Sequence, residues 1–330
     1  MPLRQLDQKT VTALVAAATA APSMHNAQPW RFRFVAAERL LLLRGDPERA
    51  MPRSDPGNRA LHIGCGAALF NLRVAAAHEG LIPEARLLPE PGDPLLFAAV
   101  QLADSAGQPH DNDLARLHPA IRQRHTTRHP FADKDIPEEV QAGLREAATR
   151  EGAGLLFTGP WHAETLLDLV YDAESRDALD PDRRADLDRW TRLGPEADTA
   201  VDGVPEYAFG PRRRDGKAPQ RDFAGRRPVA DRGATTFERT PHLALLSTPG
   251  DTPADWLRAG QALERVLLEA TLADLATSLT SHPLETSDLR PLVRDPVAGK
   301  GHVQMVLRLG YGPRGPATPR RPVGDVLEAG

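Results

Sequence analysis

Residues 21–30 read Ala-Pro-Ser-Met-His-Asn-Ala-Gln-Pro-Trp, and residues 124–131 read Arg-His-Thr-Thr-Arg-His-Pro-Phe. In the first stretch, two prolines restrict the backbone, and the residue before a proline avoids helical geometry. Ser23 and Asn26 offer hydrogen-bond donors and acceptors, and Trp30 is large enough to anchor the segment in a core. The first stretch therefore predicts an ordered loop with polar groups available for a ligand.

The second stretch concentrates hydrogen-bond donors within a few residues. Arg124 and Arg128 flank His125, Thr126 and a second threonine. Guanidinium groups bind phosphate oxygens in a bidentate manner and remain charged at physiological pH, so this spacing predicts a compact anion site. The alternative from the residues alone is a solvated basic turn, which is the usual state of a run of charges.

Together, the two stretches resemble the signatures of nitroreductase-type flavoproteins. That family carries Arg-x-Ser/Thr-x-Arg/Lys-x-Phe near the N-terminus and Pro-Ser-x-x-Asn-x-Gln-Pro-Trp one helix later, whereas here the order is reversed. Its members are usually homodimers that bind flavin at the subunit interface. The reversal therefore implies two nitroreductase-like halves fused into one chain, closest to the tandem, Acg-like group.

The resemblance implies an α+β fold with antiparallel-rich sheets flanked by helices, in which the two halves form an internal pseudo-dimer. We expect the first half at 1–110 and the second at 111–330. Small residues at Gly64 and Gly260 stand at matching places in two apolar helices, as an internal duplication would leave them. Residues 172–236 are dense in Asp and Arg and too long for an ordinary connection, so they predict a charged helix followed by a lid-like loop.

Hydrophobic periodicity predicts the secondary structure of both halves. Helices are expected up to Pro22 and at 61–78, 138–150 and 256–279. Strands are expected at 31–34, 40–43, 95–102, 154–158, 242–247 and 303–309.

By resemblance, the cofactor is FMN, and its contacts come from four segments. The residues implied to bind it are Pro22, Ser23, Met24, Asn26, Gln28, Arg124, His125, Thr126, Arg128, His282, Pro283, Leu284, Glu285, Arg320 and Arg321.

Different parts of the flavin are implied to face different residues. Arg124 and Thr126 would face the phosphate, and the backbone of 282–285 would face flavin N5. Arg128 would lie near the pyrimidine edge, where a fixed positive charge stabilises the anionic reduced flavin, which makes it the residue expected to matter most for catalysis. Residues 320–321 would close on the phosphate, or else belong to a disordered basic tail.

These elements suffice for one complete site. The phosphate motif, the 282–285 loop and the basic pair all follow residue 120, whereas the Pro-Ser loop occurs only in the first half. We therefore expect one FMN per chain.

The function that the resemblance implies is hydride transfer from NADH or NADPH, through flavin N5, to a nitroaromatic or quinone-like acceptor. The main alternative is a flavin-sequestering or storage protein whose lid excludes nicotinamide. A scaffold that has lost its cofactor is a third alternative, against which the retained motif residues argue.

Composition narrows the partners. The net charge of -4 gives no global excess of positive charge for nucleic acid or anionic lipid. Cys65 is the only cysteine, so no intrachain disulfide forms and a cytoplasmic location is expected. No segment contains the roughly 18 uninterrupted apolar residues of a spanning helix.

No metal site is expected, because the helical spacing of His125 and His129 is undone by Pro130. The chain is expected to be a monomer built as an internal pseudo-dimer, and the sequence leaves open whether it dimerises further.

Overall fold

The structure, a computed structural model, describes residues 6–104, 112–225 and 227–329. Its N-terminal part forms one sheet with two helices. The elements are α1 (Gln8–Thr19), β1 (Trp30–Val35), β2 (Leu40–Gly45), α2 (Arg59–His78), β3 (Leu81–Leu87) and β4 (Leu96–Asp104). These four strands pair antiparallel in the order β1-β2-β4-β3.

The C-terminal part repeats this arrangement after two short helices, α3 (Asn112–Ala115) and α4 (His118–Gln123). Its elements are α5 (Glu138–Arg150), β5 (Gly154–Phe157), β10 (His242–Thr248), α9 (Pro253–Leu272), β11 (Ala276–Thr280) and β12 (His302–Gly310). Their strands pair antiparallel in the order β5-β10-β12-β11. Both parts thus have the same element order and the same strand order, and the predicted α+β fold with antiparallel-rich sheets is confirmed.

A long insertion connects β5 to β10. The equivalent connection in the N-terminal part, between β1 and β2, consists only of residues 36–39. The elements of the insertion are α6 (Pro160–Leu179), α7 (Pro181–Arg189), β6 (Thr191–Arg192), α8 (Pro195–Thr199), β7 (Val204–Pro205), β8 (Arg212–Asp215) and β9 (Ala234–Thr236). The predicted segment 172–236 lies within it. The helical portion begins at Pro160, earlier than expected. Pro160 lies in the first turn of α6, where a proline is tolerated, so it starts the helix and does not interrupt it.

Helices α2 and α9 cross at the centre of the molecule. Gly66 and Gly260 are each the eighth residue of a 20-residue helix, counted from Arg59 and from Pro253. A Cβ on Gly260 would come within 2.8 Å of the Gly66 Cα, so the two backbones touch. The sequence comparison paired Gly64 with Gly260, but the structure pairs Gly66 with it, while Gly64 packs on Ser23.

Helix α2 is apolar on nearly every side and buried throughout its middle. Such a helix belongs in the core of a large fold or in a membrane. Among the described residues, it is the one helix long and apolar enough to cross a membrane, and 89% of its most apolar window is buried inside the protein.

A short C-terminal strand, β13 (Leu327–Ala329), joins the first sheet. It pairs in parallel with β1, placing Leu327 opposite Phe32. The end of the chain therefore completes the sheet made by its beginning, which the sequence analysis did not anticipate.

One predicted helix is wrong in extent. The apolar pattern of 256–279 suggested a single helix, but α9 ends at Leu272 and β11 follows. Asp274 has a left-handed φ of 56° and takes the helix-terminating position usually held by glycine. Strands β3 and β11 were also missed. Pro83 lies inside β3 and weakens its strand pattern, which is tolerated because β3 is an edge strand, and β11, except for its last residue, lies within the segment that was assigned to the helix at 256–279.

We expect Gly260→Ala to lower the free energy of unfolding by about 1–3 kcal/mol or more, because the new methyl group would force α2 and α9 apart. Gly143→Ala in α5 is the matched control. Gly143 is exposed with no atom near its would-be Cβ, so the control should raise stability by up to about 1 kcal/mol. Urea unfolding measures both, and equal effects would show that the crossing is not tightly packed.

Candidate functional site

A cavity lies where the 21–30 loop, the N-terminal half of α2, strands β11 and β12, and the insertion meet. It holds about 950 Å³ of space free of protein atoms, part of it open to solvent. Its apolar lining comes from Ile63, Leu263, Leu279 and Met305. Such a cleft, mostly apolar with a few converging polar groups, suits a planar ligand.

The structure brings six of the predicted site residues to this cavity. Pro22, Ser23 and Met24 come from the loop, Thr126 and Arg128 from the second motif, and His282 from the segment after β11. Backbone pairing holds the second motif in place, because the Thr127 amide donates to the carbonyl of Thr277 on β11.

Nine predicted residues do not line the cavity. These are Asn26, Gln28, Arg124, His125, Pro283, Leu284, Glu285, Arg320 and Arg321. Several of them instead hold the 21–30 loop from behind.

Residues 311–326, between β12 and β13, form a C-terminal arm that contacts that loop. Arg320 donates through Nη1 to the Asn26 Oδ1 at 3.0 Å and through Nη2 to the Ala20 carbonyl at 3.0 Å. The amide of Arg321 donates to the Gln28 Oε1 at 2.9 Å. Residues 320–321 are therefore ordered against the loop and do not form a free basic tail.

The loop has an uncommon backbone. His25, Asn26 and Gln28 have φ angles of 50°, 55° and 53°, in the left-handed region that non-glycine residues rarely adopt. The Ser23 hydroxyl accepts from the Gln28 amide at 2.8 Å, and the Asn26 Nδ2 donates to the carbonyl of Gly203 at 2.9 Å. Surrounding contacts must offset such strain, and it is concentrated at functional sites.

Arg124 lies within the protein beside an acid of α9. Its Nε is 3.5 Å from the Glu264 Oε1, and its Nη2 donates to the Ala20 carbonyl at 3.0 Å. Burial raises the pKa of Glu264, which the charge of Arg124 partly offsets. Burial, followed by the charge of Arg124, lowers the pKa of Arg320 to about 9. Two arginines thus converge on the carbonyl of Ala20, which immediately precedes the loop.

Two guanidinium groups at the cavity form no salt bridge among the described residues. Arg128 donates to the Ala208 carbonyl at 2.8 Å, and Arg59 donates to the Gln304 carbonyl at 2.6 Å. Burial, followed by the charge of a neighbouring arginine, lowers the pKa of each to about 10; the neighbour is Arg221 for Arg128 and Arg290 for Arg59. Nearby carboxylates, Asp55 first, partly offset this for Arg59.

Arg308 shows the contrasting arrangement. It lines the same cavity but is paired with Glu238, with nitrogen to oxygen distances of 2.5 and 2.7 Å. Its guanidinium also lies 3.7 Å from the centre of the Phe131 ring. Arg221, which also lines the cavity, is paired with Glu285 at 2.6 Å. Salt bridges therefore compensate the charge of Arg308 and Arg221, whereas Arg59 and Arg128 form none among the described residues.

Two histidines face the cavity in their neutral form. Burial lowers the pKa of His25 well below its usual value, helped by Arg221 and Arg128, and it does the same for His282, helped by Arg221 and His25. Nε2 of His25 and both ring nitrogens of His282 have no hydrogen-bond partner among the described residues.

Sequence reasoning missed several cavity residues: His25, Arg59, Gln220, Arg221, Phe223, Ser278, Ser281 and Arg308. Arg59 and Arg308 carried a usable signal, since each is a charged residue in an otherwise apolar helix or strand. The three from the insertion carried none, because nothing in a charged, proline-rich segment shows which residue folds back on the core.

Comparison with known proteins places the chain in a family. No protein-family model matches it. It is 31% identical over 338 residues to the Mycobacterium tuberculosis protein named "putative NAD(P)H nitroreductase acg", covering 99% of this chain and 98% of that protein. The chain belongs to this Acg-like nitroreductase family.

Two further relatives of the same organism agree. One Acg-like protein, also named "putative NAD(P)H nitroreductase", is 32% identical, with 98% of this chain and 92% of that protein covered. An uncharacterized protein is 31% identical, covering 93% and 90% respectively. The resemblance drawn from the two motifs is confirmed.

Among solved structures, a nitroreductase from Anabaena variabilis is similar to this Acg-family chain with a TM-score of 0.49 and 12% identity, covering 92% of this chain and 88% of that one. A nitroreductase with bound FMN from Bacteroides fragilis has a TM-score of 0.35 and 15% identity, covering 62% of this chain and 92% of that one.

Within the described residues, no group of three His, Cys, Asp or Glu side chains could hold a metal ion.

The lowered pKa of His282 predicts a pH dependence of stability. Below about pH 6.5 this histidine is protonated in the unfolded chain but not in the folded chain. The free energy of unfolding therefore decreases as the pH is lowered, by up to about 1.4 kcal/mol per pH unit for that residue. His282→Phe should therefore lose less stability than the wild type between pH 7 and pH 5. Chemical denaturation at each pH tests this, and parallel curves would contradict it.

Proposed function

We propose that this Acg-family chain is an FMN-dependent oxidoreductase, which takes hydride from NADH or NADPH and passes it to a small acceptor such as a nitroaromatic or quinone. Two supports carry the proposal. Two of the three relatives reported above carry the name "putative NAD(P)H nitroreductase", and each aligns with nearly the whole chain. The cavity also holds two interior guanidinium groups, Arg59 and Arg128, that carbonyl groups hold and that form no salt bridge among the described residues.

The second support is a matter of charge. A charged group in the interior costs several kcal/mol unless an opposite charge or hydrogen bonds compensate it. FMN brings a phosphate dianion and, when reduced, a ring anion. The residues present therefore fit FMN, since the ligand would supply negative charge beside Arg128, on which burial and the charge of Arg221 act but no described carboxylate does.

The bound flavin would supply the redox chemistry by accepting and releasing hydride. The chain would hold and orient it. The Ala208 carbonyl and the Phe223 ring, whose centre is 4.7 Å from the guanidinium carbon, hold Arg128 in one place. A charge held in this way stabilises the reduced ring without reorganising during reaction. The apolar side chains leave room for the ring system.

Residues behind the cavity would act through the loop. Arg124 and Arg320 both donate to the Ala20 carbonyl, and Arg321 holds Gln28. We propose that they fix the geometry of the Pro-Ser loop, and that residues 282–285 present their backbone to the ligand as His282 reaches the cavity wall. We also propose that His125 contacts FMN at its phosphate end.

We propose that the chain is two fused nitroreductase-like halves forming an internal pseudo-dimer with one FMN. The shared strand order and the crossing at Gly66 and Gly260 support this. In the second half only residues 151–153 connect α5 to β5, where the first half has the Pro-Ser loop, so a second equivalent site lacks that loop. The expected boundary at 110 and 111 lies outside the described residues. A cytoplasmic location is part of the proposal.

A second function, flavin sequestration, is favoured by one observation. Gln220, Arg221 and Phe223 of the insertion line the cavity, and Phe223 is nearly fully buried over Arg128. A segment in that position could close the ring face against nicotinamide.

Anaerobic reduction distinguishes the two functions. The oxidoreductase should contain FMN, and its visible band should bleach within minutes of adding NADPH or NADH and recover on adding a quinone. A yellow protein that bleaches only with dithionite would support sequestration. A protein that stays colourless and does not bind added FMN would contradict both.

We expect Arg128→Met to raise the dissociation constant of FMN about 10- to 100-fold, because it removes a charge-assisted contact. Stability without ligand should not fall, since an uncompensated interior charge is lost as well. Arg212→Met is the control, because Arg212 is exposed on β8. Fluorescence titration with FMN and thermal unfolding provide the two readouts, and unchanged FMN affinity would contradict the placement of the site.

A further inference from the structure

The histidine within the Pro-Ser loop reaches the cavity, while the asparagine beside it does not. His25 is 7% exposed and lines the cavity, with its Nε2 free of hydrogen-bond partners among the described residues. The Asn26 side chain is fully occupied elsewhere: Oδ1 accepts from Arg320, and Nδ2 donates to the carbonyls of Gly203 and Pro319. Of the buried polar atoms of the loop that lack a partner among the described residues, the one at the cavity is therefore on His25.

His25 also adjoins Arg128. The Phe223 ring contacts both, lying edge-on to the imidazole at 5.6 Å between centres and 4.7 Å from the Arg128 guanidinium carbon. The left-handed φ of 50° sets the direction of His25, and it is maintained by the contacts of the C-terminal arm with Asn26 and Gln28. Strain held in this way points to a positioned functional group.

The two side chains offer opposite hydrogen-bonding chemistry. Arginine only donates, whereas a neutral imidazole presents one ring nitrogen as an acceptor. Burial and the charges of Arg221 and Arg128 lower the pKa of His25, so it stays neutral at physiological pH. An adjacent donor and acceptor suit a ligand edge on which a carbonyl stands next to an N–H group.

The pyrimidine edge of FMN has this pattern, since its imide N–H lies between two carbonyl groups. We propose that His25 is a recognition residue for this edge, accepting a hydrogen bond from the imide N–H while Arg128 donates to a carbonyl oxygen. Asn26 is then a positioning residue, which holds the loop that directs His25. This inference rests on the proposed function.

His282 is the alternative acceptor, because both of its ring nitrogens are also without partners among the described residues. It comes from the opposite wall, after β11, and its surroundings include Arg221 and His25. No described contact joins it to Arg128, so the observations favour His25.

The test compares two ligands, FMN and its 3-methyl analogue, in which a methyl group replaces the imide hydrogen. Wild-type protein should bind FMN more tightly by about tenfold, the scale of one buried hydrogen bond and the penalty for losing it. In His25→Phe this preference should fall to about twofold or less. His25→Asn keeps an acceptor and tolerates a left-handed backbone, so it should retain most of the preference.

Phenylalanine is no smaller than histidine, so a preference due only to crowding by the methyl group would persist in His25→Phe. That result would overturn the inference, as would loss of the preference in His282→Phe but not in His25→Phe. Equal binding of both ligands by the wild type would also overturn it. Failure of the wild type to bind FMN at all would instead contradict the proposed function. Fluorescence titrations give the dissociation constants, with thermal unfolding as the check on folding.

Discussion

The contact between Gly66 and Gly260 is the constraint on which the rest of the structure depends. With no side chains between them, α2 and α9 pack backbone to backbone, and each becomes the central helix behind one of the two sheets. The crossing also determines which residues meet beside it. Arg59, at the start of α2, and Leu263, one turn after Gly260 on α9, both line the cavity. A larger residue at the crossing would change the position of the cavity floor as well as the stability of the core.

The interior arginines are held in two different ways. Salt bridges hold Arg308, at the cavity, to Glu238 and Arg124, behind the 21–30 loop, to Glu264. At the cavity, Arg59 and Arg128 are instead held by carbonyl groups, which fix a guanidinium in place without neutralising it. Positive charge is thus retained at Arg128, and the proposed function depends on that charge.

Much of this could be predicted from the sequence, but unevenly. Helix α5 was predicted with its observed bounds, because its apolar stripe lies between clear end signals. The single helix expected at 256–279 was wrong, because Asp274 provides a left-handed turn that glycine usually signals. The Pro-Ser loop was identified by its motif, yet the motif could not show that Asn26 faces the C-terminal arm and His25 the cavity. The contributions of 219–223 were beyond prediction, since they depend on how a long insertion folds back.

Strand β13 has a consequence for the order of events during synthesis. It pairs with β1, although almost the whole chain lies between them. While the polypeptide is still being made, the outer edge of β1 therefore lacks this partner, and exposed strand edges readily pair with other chains. The arm bearing Arg320 and Arg321 is made just before β13, and its contact with Gln28 spans 293 residues of sequence. The strained loop and the edge of β1 therefore both depend on a segment synthesised long after them, and neither reaches its final contacts until that segment has been made.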